Sequence, residues 1–307
     1  MKVANSVVDL IGNTPLVRLN NLTKGIDAHV FVKLESANPG GSVKDRLGLA
    51  LIEDAEKRGI LKPGGTIIEP SSGNTGIGLA MVSAVKGYKV IIVMPESASI
   101  ERRKLMEGLG AQVILTPATE GMKGAISKAN ALLEDIDGSF MPMQFENPAN
   151  IEFHKRTTAV EIWNDTDGTI DFFVSGVGTG GTFSGVSTVL KEKKPSVTNV
   201  AVEPKDSPVL SGGEPGSHKI QGIGAGFIPQ NCKTELIDEI VPVSNENAFE
   251  TARRLMKEEG IICGISSGAI VWAALSLASL PENKGKTFVA IVCDTGERYL
   301  STSLFHE

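Results

Sequence analysis

Short apolar runs alternate with segments of helical periodicity along most of the chain, and turn or capping residues stand at the joints. Thr66-Ile67-Ile68-Glu69 reads as a strand, and a helix follows it to Lys86, where Gly87 suits a left-handed C-cap. Val90-Ile91-Ile92-Val93-Met94 is a buried strand stopped by Pro95. Ser99 then caps a helix over 100–109 that closes at Gly110. A strand is expected over 112–115 and a helix over 125–133. The second half repeats the scheme, with strands over 171–175, 200–202 and 288–293 and a helix over 183–191. Ser244 caps a further helix over 245–259, which Gly260 ends. Strand–helix alternation predicts an α/β fold with mostly parallel sheets flanked by helices, and ligands at the carboxyl ends of the strands. Two stretches escape the pattern. Met141 to Asn150, with Pro142 and Pro148, suits a crossing between domains. Asp206 to Pro229, rich in glycine and proline, has the length of a functional loop.

A chain of 307 residues suits one large α/β domain or two domains, with enough length for a substantial core. The net charge of −6, with both signs mixed along the chain, argues against nucleic acid or an anionic membrane as the main partner. Cys232, Cys263 and Cys293 are odd in number and never form a C-x-x-C pair, so they read as small core residues of a reducing compartment. Met1 to Ser6 lacks the apolar core of a signal peptide, and the longest apolar stretch, Ala269 to Leu280, is too short to span a bilayer. A cytoplasmic protein is expected. His29, His154, His218 and His306 are dispersed without metal spacing or triad order, so no metal is expected.

Chemistry enters with Lys44, in Asn38-Pro39-Gly40-Gly41-Ser42-Val43-Lys44-Asp45-Arg46. The glycines keep bulk away, and the lysine falls at the mouth of a helix over 45–58. A helix N-terminus favours anions over an ammonium, so a lysine there suggests an amine that does chemistry or meets a bound anion. Three loops could serve it. Ser71-Ser72-Gly73-Asn74-Thr75-Gly76, between a strand and a helix, offers N–H and O–H donors to a carboxylate, or is simply a capped turn. Gly176-Val177-Gly178-Thr179-Gly180-Gly181-Thr182 has four glycines and two threonines that let the backbone wrap a phosphate. It also fits G-x-G-x-x-G, with Glu203 ending a strand about twenty residues on, so a dinucleotide such as NAD competes for it. Gly264-Ile265-Ser266-Ser267-Gly268-Ala269 caps an apolar helix or gives one hydroxyl to a heteroaromatic nitrogen. Glu297-Arg298-Tyr299 reads as a packed or ion-paired surface turn, and Glu101-Arg102-Arg103-Lys104 as a solvated helix face. A lysine, a phosphate cradle, a carboxylate cradle and a lone serine together favour pyridoxal phosphate, which forms a Schiff base with lysine and draws electrons from an amino-acid Cα. NAD leaves Lys44 and the 71–76 loop unexplained.

These motifs, with Gln144-Phe145-Glu146-Asn147-Pro148, the 220–227 stretch and Gly296 to Ser301, resemble the cysteine synthase and cystathionine β-synthase family of fold-type II pyridoxal phosphate enzymes. Within it the pattern is similar to the O-acetylserine sulfhydrylases, and it covers essentially the whole chain in order. The resemblance implies a tryptophan-synthase-β-like α/β fold of two domains, each with a mostly parallel sheet flanked by helices, and the cofactor in the cleft between them. Residues 1–34 with 147–307 would form the larger domain and 35–146 the smaller, mobile one. It further implies that Lys44 holds pyridoxal 5'-phosphate and acts as the general base. Asn74 would meet the ring hydroxyl, Gly178, Thr179, Gly180, Gly181 and Thr182 the phosphate, and Ser266 the pyridine nitrogen. Ser71, Ser72, Gly73, Thr75 and Gln144 would hold the carboxylate of O-acetyl-L-serine, which sulfide converts to L-cysteine and acetate. A homodimer is implied as well. Gly40-Gly41 and Ile52 to Glu56 look more like cystathionine β-synthase, and Ser71 stands where a threonine is usual, so condensation of serine or O-acetylserine with homocysteine is the alternative. An NAD-linked oxidoreductase and a non-catalytic binder of the C-terminal tail of serine acetyltransferase are the alternatives of other classes.

Overall fold

The computed structural model describes residues 3–306; Met1, Lys2 and Glu307 lie outside the described residues, so the reading of the first six residues is met only from Val3 onward. In chain order the elements are β1 (Leu16–Arg18), β2 (His29–Leu34), α1 (Lys44–Lys57), β3 (Thr66–Pro70), α2 (Asn74–Lys86), β4 (Lys89–Pro95), α3 (Ile100–Gly108), β5 (Gln112–Thr116), α4 (Gly121–Asp135) and β6 (Ser139–Phe140). They continue as α5 (Ala149–Arg156), α6 (Thr158–Asp165), β7 (Phe172–Gly176), α7 (Gly181–Lys193), β8 (Thr198–Pro204), β9 (Glu239–Val243), α8 (Asn245–Glu259), α9 (Ile265–Ala278) and β10 (Thr287–Val292). Among the described residues no helix is long and apolar enough to cross a membrane.

Two sheets organise these elements, a six-stranded one in the order β1-β2-β10-β7-β8-β9 and a four-stranded one in the order β5-β4-β3-β6. Every pairing is parallel except β1 with β2. Both faces of each sheet are covered, which is why the central strands read as unbroken apolar runs. On β10 the alternation is visible in the cores: Phe288, Ala290 and Val292 pack with α8 and α9, while Val289 and Ile291 pack with α6 and α7. On the smaller sheet, Ile67 and Ile92 face α1 and α2, and Ile68, Ile91 and Val93 face α4. Helix α9 is apolar nearly all round because it is enclosed by the sheet and α8.

The caps read from sequence are in place. Ser99 and Ser244 accept from the third helical N–H, at Arg102 and Asn247, and Gly87 and Gly260 are left-handed with φ of 76° and 71°. Helices α1 and α2 cross unusually closely: a Cβ on Gly48 would meet the Gly78 carbonyl carbon at 2.6 Å. That contact holds the start of α1 against the start of α2, and so sets Lys44 beside the 71–76 loop.

Candidate active site

Lys44 opens α1 at the end of a loop that leaves the carboxyl end of β2. The loop is pinned on both sides. Val43 N–H donates to the Cys293 carbonyl at 2.8 Å, Ser42 bridges Asp294, and Gly40 N–H donates to Asp45 Oδ2 at 2.6 Å. Gly41 has φ of 78° and a Cβ there would meet Arg298 Nη2 at 2.8 Å, so this turn requires glycine. Burial pulls the Lys44 amine below the usual lysine range, against the opposing pull of Cys293, Asp294 and Glu35. A lysine so placed reaches its neutral form, the nucleophile and base, more readily than a surface lysine. Burial also raises the neighbouring Asp45 carboxyl to about 7.

The 71–76 loop joins β3 to α2. The Ser71 hydroxyl accepts from Gly73 N–H at 3.3 Å and Gly76 N–H at 3.2 Å. Gly73, the N-cap, has no side chain to offer, so of the first three N–H groups of α2 only that of Gly76 meets a side-chain acceptor, the Ser71 hydroxyl. Asn74 is held at both ends of its amide: Nδ2 donates to Asp294 Oδ2 at 2.7 Å, and Oδ1 accepts from Arg298 Nη1 at 2.5 Å. Thr75 Oγ1 donates to Gln144 Oε1 at 2.7 Å, and Gln144 Nε2 donates to Glu69 Oε1 at 2.9 Å. Ser72 and Gly73 are half-buried at the rim of this cluster.

The 176–182 loop leaves β7 and turns into α7. Gly180, the N-cap, is left-handed at φ 85°, and no side chain caps the helix. A Cβ on Gly180 would meet Cys232 N at 2.7 Å, and one on Gly178 or Gly181 would strike the Gly222 carbonyl or the Asn150 side chain. Glycine is therefore what lets this backbone curl with its N–H groups free at a helix N-terminus. Thr179 Oγ1 accepts from Asn150 Nδ2 at 3.0 Å, and Thr182 Oγ1 lies 3.1 Å from His154 Nε2. Burial, with Arg46 next, depresses His154 to about 3, so its ring is neutral.

Polar links join these parts into one site. Cys293 N–H donates to Ser267 Oγ at 2.9 Å, Tyr299 donates to Asp294 Oδ2 at 2.7 Å, and buried Ser266 faces the 222 turn. Asn150 Nδ2 donates to the Gln144 carbonyl at 3.2 Å as well as to Thr179, which ties the segment carrying Gln144 to the 176–182 loop. Thus Lys44, Asn74, Thr75, Gln144, Thr179 and Ser266 belong to one connected cluster at strand carboxyl ends. Burial first and Asp294 second push the Cys293 thiol up to about 12, against Lys44 and the Ser266 hydroxyl.

Three sequence readings change. Glu203 accepts from Leu210 N–H at 2.8 Å and from the N–H and hydroxyl of Ser211, so the carboxylate a dinucleotide ribose would need is committed to the 206–229 loop. Arg298 and Tyr299 are buried rather than part of a surface turn, since they close the wall behind Asn74 and Asp294. Arg102 is buried too: it stacks 4.7 Å from the Tyr299 ring centroid and donates to Gln221 at 2.5 Å. Asp294 escapes the sequence reading, and Glu69 and Arg298 enter it only as strand and turn residues, because a single polar residue outside a glycine loop carries no spacing signal.

Residues 7–294 match the family described as pyridoxal-phosphate dependent enzyme. The chain is 56% identical over 305 residues to a cysteine synthase of Staphylococcus aureus strain Mu50, covering 99% of this chain and 98% of that one. Among solved structures, a cysteine synthase of Entamoeba histolytica superposes with a TM-score of 0.97 at 48% identity, covering 100% of this chain and 92% of that one. A hydrogen sulfide-producing enzyme of Fusobacterium nucleatum does so with a TM-score of 0.93 at 47% identity, covering 97% and 100%.

Proposed function

The chain belongs to the pyridoxal-phosphate-dependent enzymes, and from that premise we infer that it carries out a β-replacement, converting O-acetyl-L-serine and sulfide to L-cysteine and acetate. The observation that carries this reading is the desolvated Lys44 amine in one cluster with an uncapped, glycine-walled helix N-terminus and a second donor loop. The residues fit the cofactor. The N–H groups at Gly178, Thr179, Gly180, Gly181 and Thr182 would take its phosphate where any Cβ on Gly178 or Gly181 would collide. Asn74 would meet the ring hydroxyl, Ser266 the pyridine nitrogen, and Lys44 would hold the aldehyde carbon. Bound there, pyridoxal phosphate supplies an electron sink that acidifies the Cα proton of a joined amino acid and lets a Cβ group leave.

The chain's own residues then divide the work. Ser71, Ser72, Gly73, Thr75 and Gln144 hold the substrate carboxylate at the start of α2, where the helix dipole favours an anion. Lys44, kept ready to deprotonate by burial, removes the Cα proton and later returns it. Ser266 is a neutral hydroxyl at the ring nitrogen, so it makes the sink milder than an ionised carboxylate would, which suits elimination at Cβ. Residues 35–146 act as the smaller domain that closes over the substrate and excludes water. The enzyme works in the cytoplasm as a homodimer.

Pyridoxal phosphate added to the wild-type protein should give a visible absorption band that borohydride bleaches, and the loaded protein should form cysteine from O-acetylserine and sulfide. Lys44→Ala should lose both. A Lys44→Ala protein that kept the band, or a wild type preferring serine with homocysteine over O-acetylserine with sulfide in product analysis, would overturn the reading.

A further inference from the structure

We propose that Glu69 is a positioning residue for the substrate: as an uncharged carboxylic acid it fixes the Gln144 amide, and through it the Thr75 hydroxyl, so that the remaining N–H of Gln144 meets the amino-acid carboxylate. The proposal rests on the reading that Ser71–Thr75 and Gln144 form the carboxylate cradle.

The geometry sets the direction of every bond in the relay. Glu69 is 2% exposed, near the carboxyl end of β3 and two residues before Ser71 opens the 71–76 loop. Its Oε1 accepts from Gln144 Nε2 at 2.9 Å, and its Oε2 is buried without a partner. The amide is seated with Nε2 toward Glu69 Oε1, the carbonyl oxygen of the acid, and with Oε1 accepting from Thr75 at 2.7 Å. The Thr75 hydroxyl proton is thereby spent on Gln144. What the cradle retains for a carboxylate is the second Nε2 hydrogen of Gln144, together with serine hydroxyls and backbone N–H groups.

No charged side chain among the described residues compensates Glu69. Ile92 lies opposite it on β4, and Thr75 comes from α2. The charged residues of α1 nearest the site are engaged elsewhere: Lys44 faces Cys293, Asp294 and Glu35, Asp45 takes Gly40 N–H, Arg46 pairs with Glu35 and Glu161, and Asp54 pairs with Arg58. An ionised Glu69 would be an uncompensated buried charge and would also stand beside the site that receives the substrate's negative charge. The neutral acid avoids both, with its proton on Oε2 and its hydrogen bond from Gln144 unchanged. In keeping with this, burial raises the Glu69 carboxyl to about 8, against the Gln144 hydrogen bond. Because the folded value lies above the ordinary one, the competent form persists through neutral pH and is lost as pH rises past it.

The test uses the cofactor-loaded enzyme and L-alanine, which has the amine and carboxylate of the substrate but no leaving group on Cβ. Its dissociation constant is read from cofactor absorbance between about pH 6.5 and about pH 9.5 for wild type, Glu69→Gln and Gln144→Ala. Titration of the amine affects all three alike, so the ratio of wild type to Glu69→Gln isolates Glu69. That ratio should be near one at neutral pH and climb about tenfold per pH unit once Glu69 ionises. The infrared spectrum of the wild type at neutral pH should also contain a protonated-carboxyl band that Glu69→Gln lacks. A flat ratio, or no such band, overturns the proposal while Gln144→Ala still weakens binding. Unweakened binding by Gln144→Ala overturns the carboxylate-cradle reading itself, and the Glu69 proposal with it.

Discussion

Replacing Arg46 by methionine should cost about 3–5 kcal/mol at neutral pH, the range for stranding one partner of a buried ion pair. Arg46 and Glu35 are both fully buried, with Nε to Oε2 at 2.7 Å and Nη2 to Oε1 at 2.9 Å. Arg46 also donates to both oxygens of Glu161, at 2.8 and 2.7 Å. After the substitution Glu161 keeps Lys33 at 3.0 Å, but Glu35 keeps only neutral donors, Thr14 at 2.7 Å and Asn38 at 2.9 Å. The cost should therefore concentrate on Glu35. In the wild type its pKa lies below the ordinary value despite burial, because Arg46 and the Thr14 hydrogen bond together outweigh desolvation. Its stabilising share is thus complete above the unfolded pKa and is lost only as pH falls through the folded one. In Arg46→Met the folded pKa moves above the unfolded one, and each unit of that rise costs about 1.4 kcal/mol where Glu35 would otherwise be ionised. The deficit should shrink by roughly 2–3 kcal/mol between about pH 7 and about pH 5, as Glu35 takes up a proton. Urea denaturation of the cofactor-saturated protein at the two pH values measures it, and Glu35→Gln added to Arg46→Met should recover most of the loss. A deficit below about 1 kcal/mol at neutral pH, or one unchanged on acidification, would refute the reasoning.

Two further predictions concern packing and thiol chemistry. In Gly78→Ala the new methyl would meet the Lys44 carbonyl oxygen at 2.5 Å, so α1 must shift from α2. Thermal melting should show a loss of about 1–3 kcal/mol, and titration with pyridoxal phosphate a weaker cofactor complex. Burial pushes Cys232 to about 11 and Cys293 to about 12, and Cys263 higher still. Thiolate is then scarce, so iodoacetamide at neutral pH should leave the native protein unlabelled by mass spectrometry and add three groups after unfolding in urea.

The strands that sequence reading recovered, β3, β4, β5, β7, β8 and β10, are those whose apolar runs follow from burial on both faces or from strict order within the alternation. The others carry weaker signals. β1 and β6 have three and two residues, and β9 is an edge strand with Pro242 in it. β2 is central, yet Lys33 breaks its apolar run. That lysine is tolerated at 0% exposure because Glu161 and Asp165 of α6 each reach it at 3.0 Å, from residues far along the chain. No local window contains such a partner. The same holds at the site. Glycine loops were visible because backbone curvature needs glycine at fixed spacing, while Arg102 in a run of charges looked solvated until Tyr299 and Gln221 were brought over it.

The charge arrangement explains how a lysine shifted toward its neutral form could share one buried site with two anions. A phosphate would lie at the start of α7 and a carboxylate at the start of α2, and in both places the donors are backbone N–H groups, hydroxyls and amides. His154, whose Nε2 lies 3.1 Å from Thr182 Oγ1 at the start of α7, is held neutral by burial. Had lysine or arginine filled these cradles, their fields would lower the pKa of Lys44 further but would also draw Asp294 and Asp45 away from Asn74 and Gly40, which they now orient. Helix N-termini supply attraction over a single turn and leave those contacts intact. Burial therefore acts in one direction on Lys44, Asp45 and Glu69, suppressing each group's charged form. In the proposed reading the attraction for the incoming anions would come from backbone dipoles that cannot titrate, so proton transfer at Lys44 would leave the grip on either ligand intact.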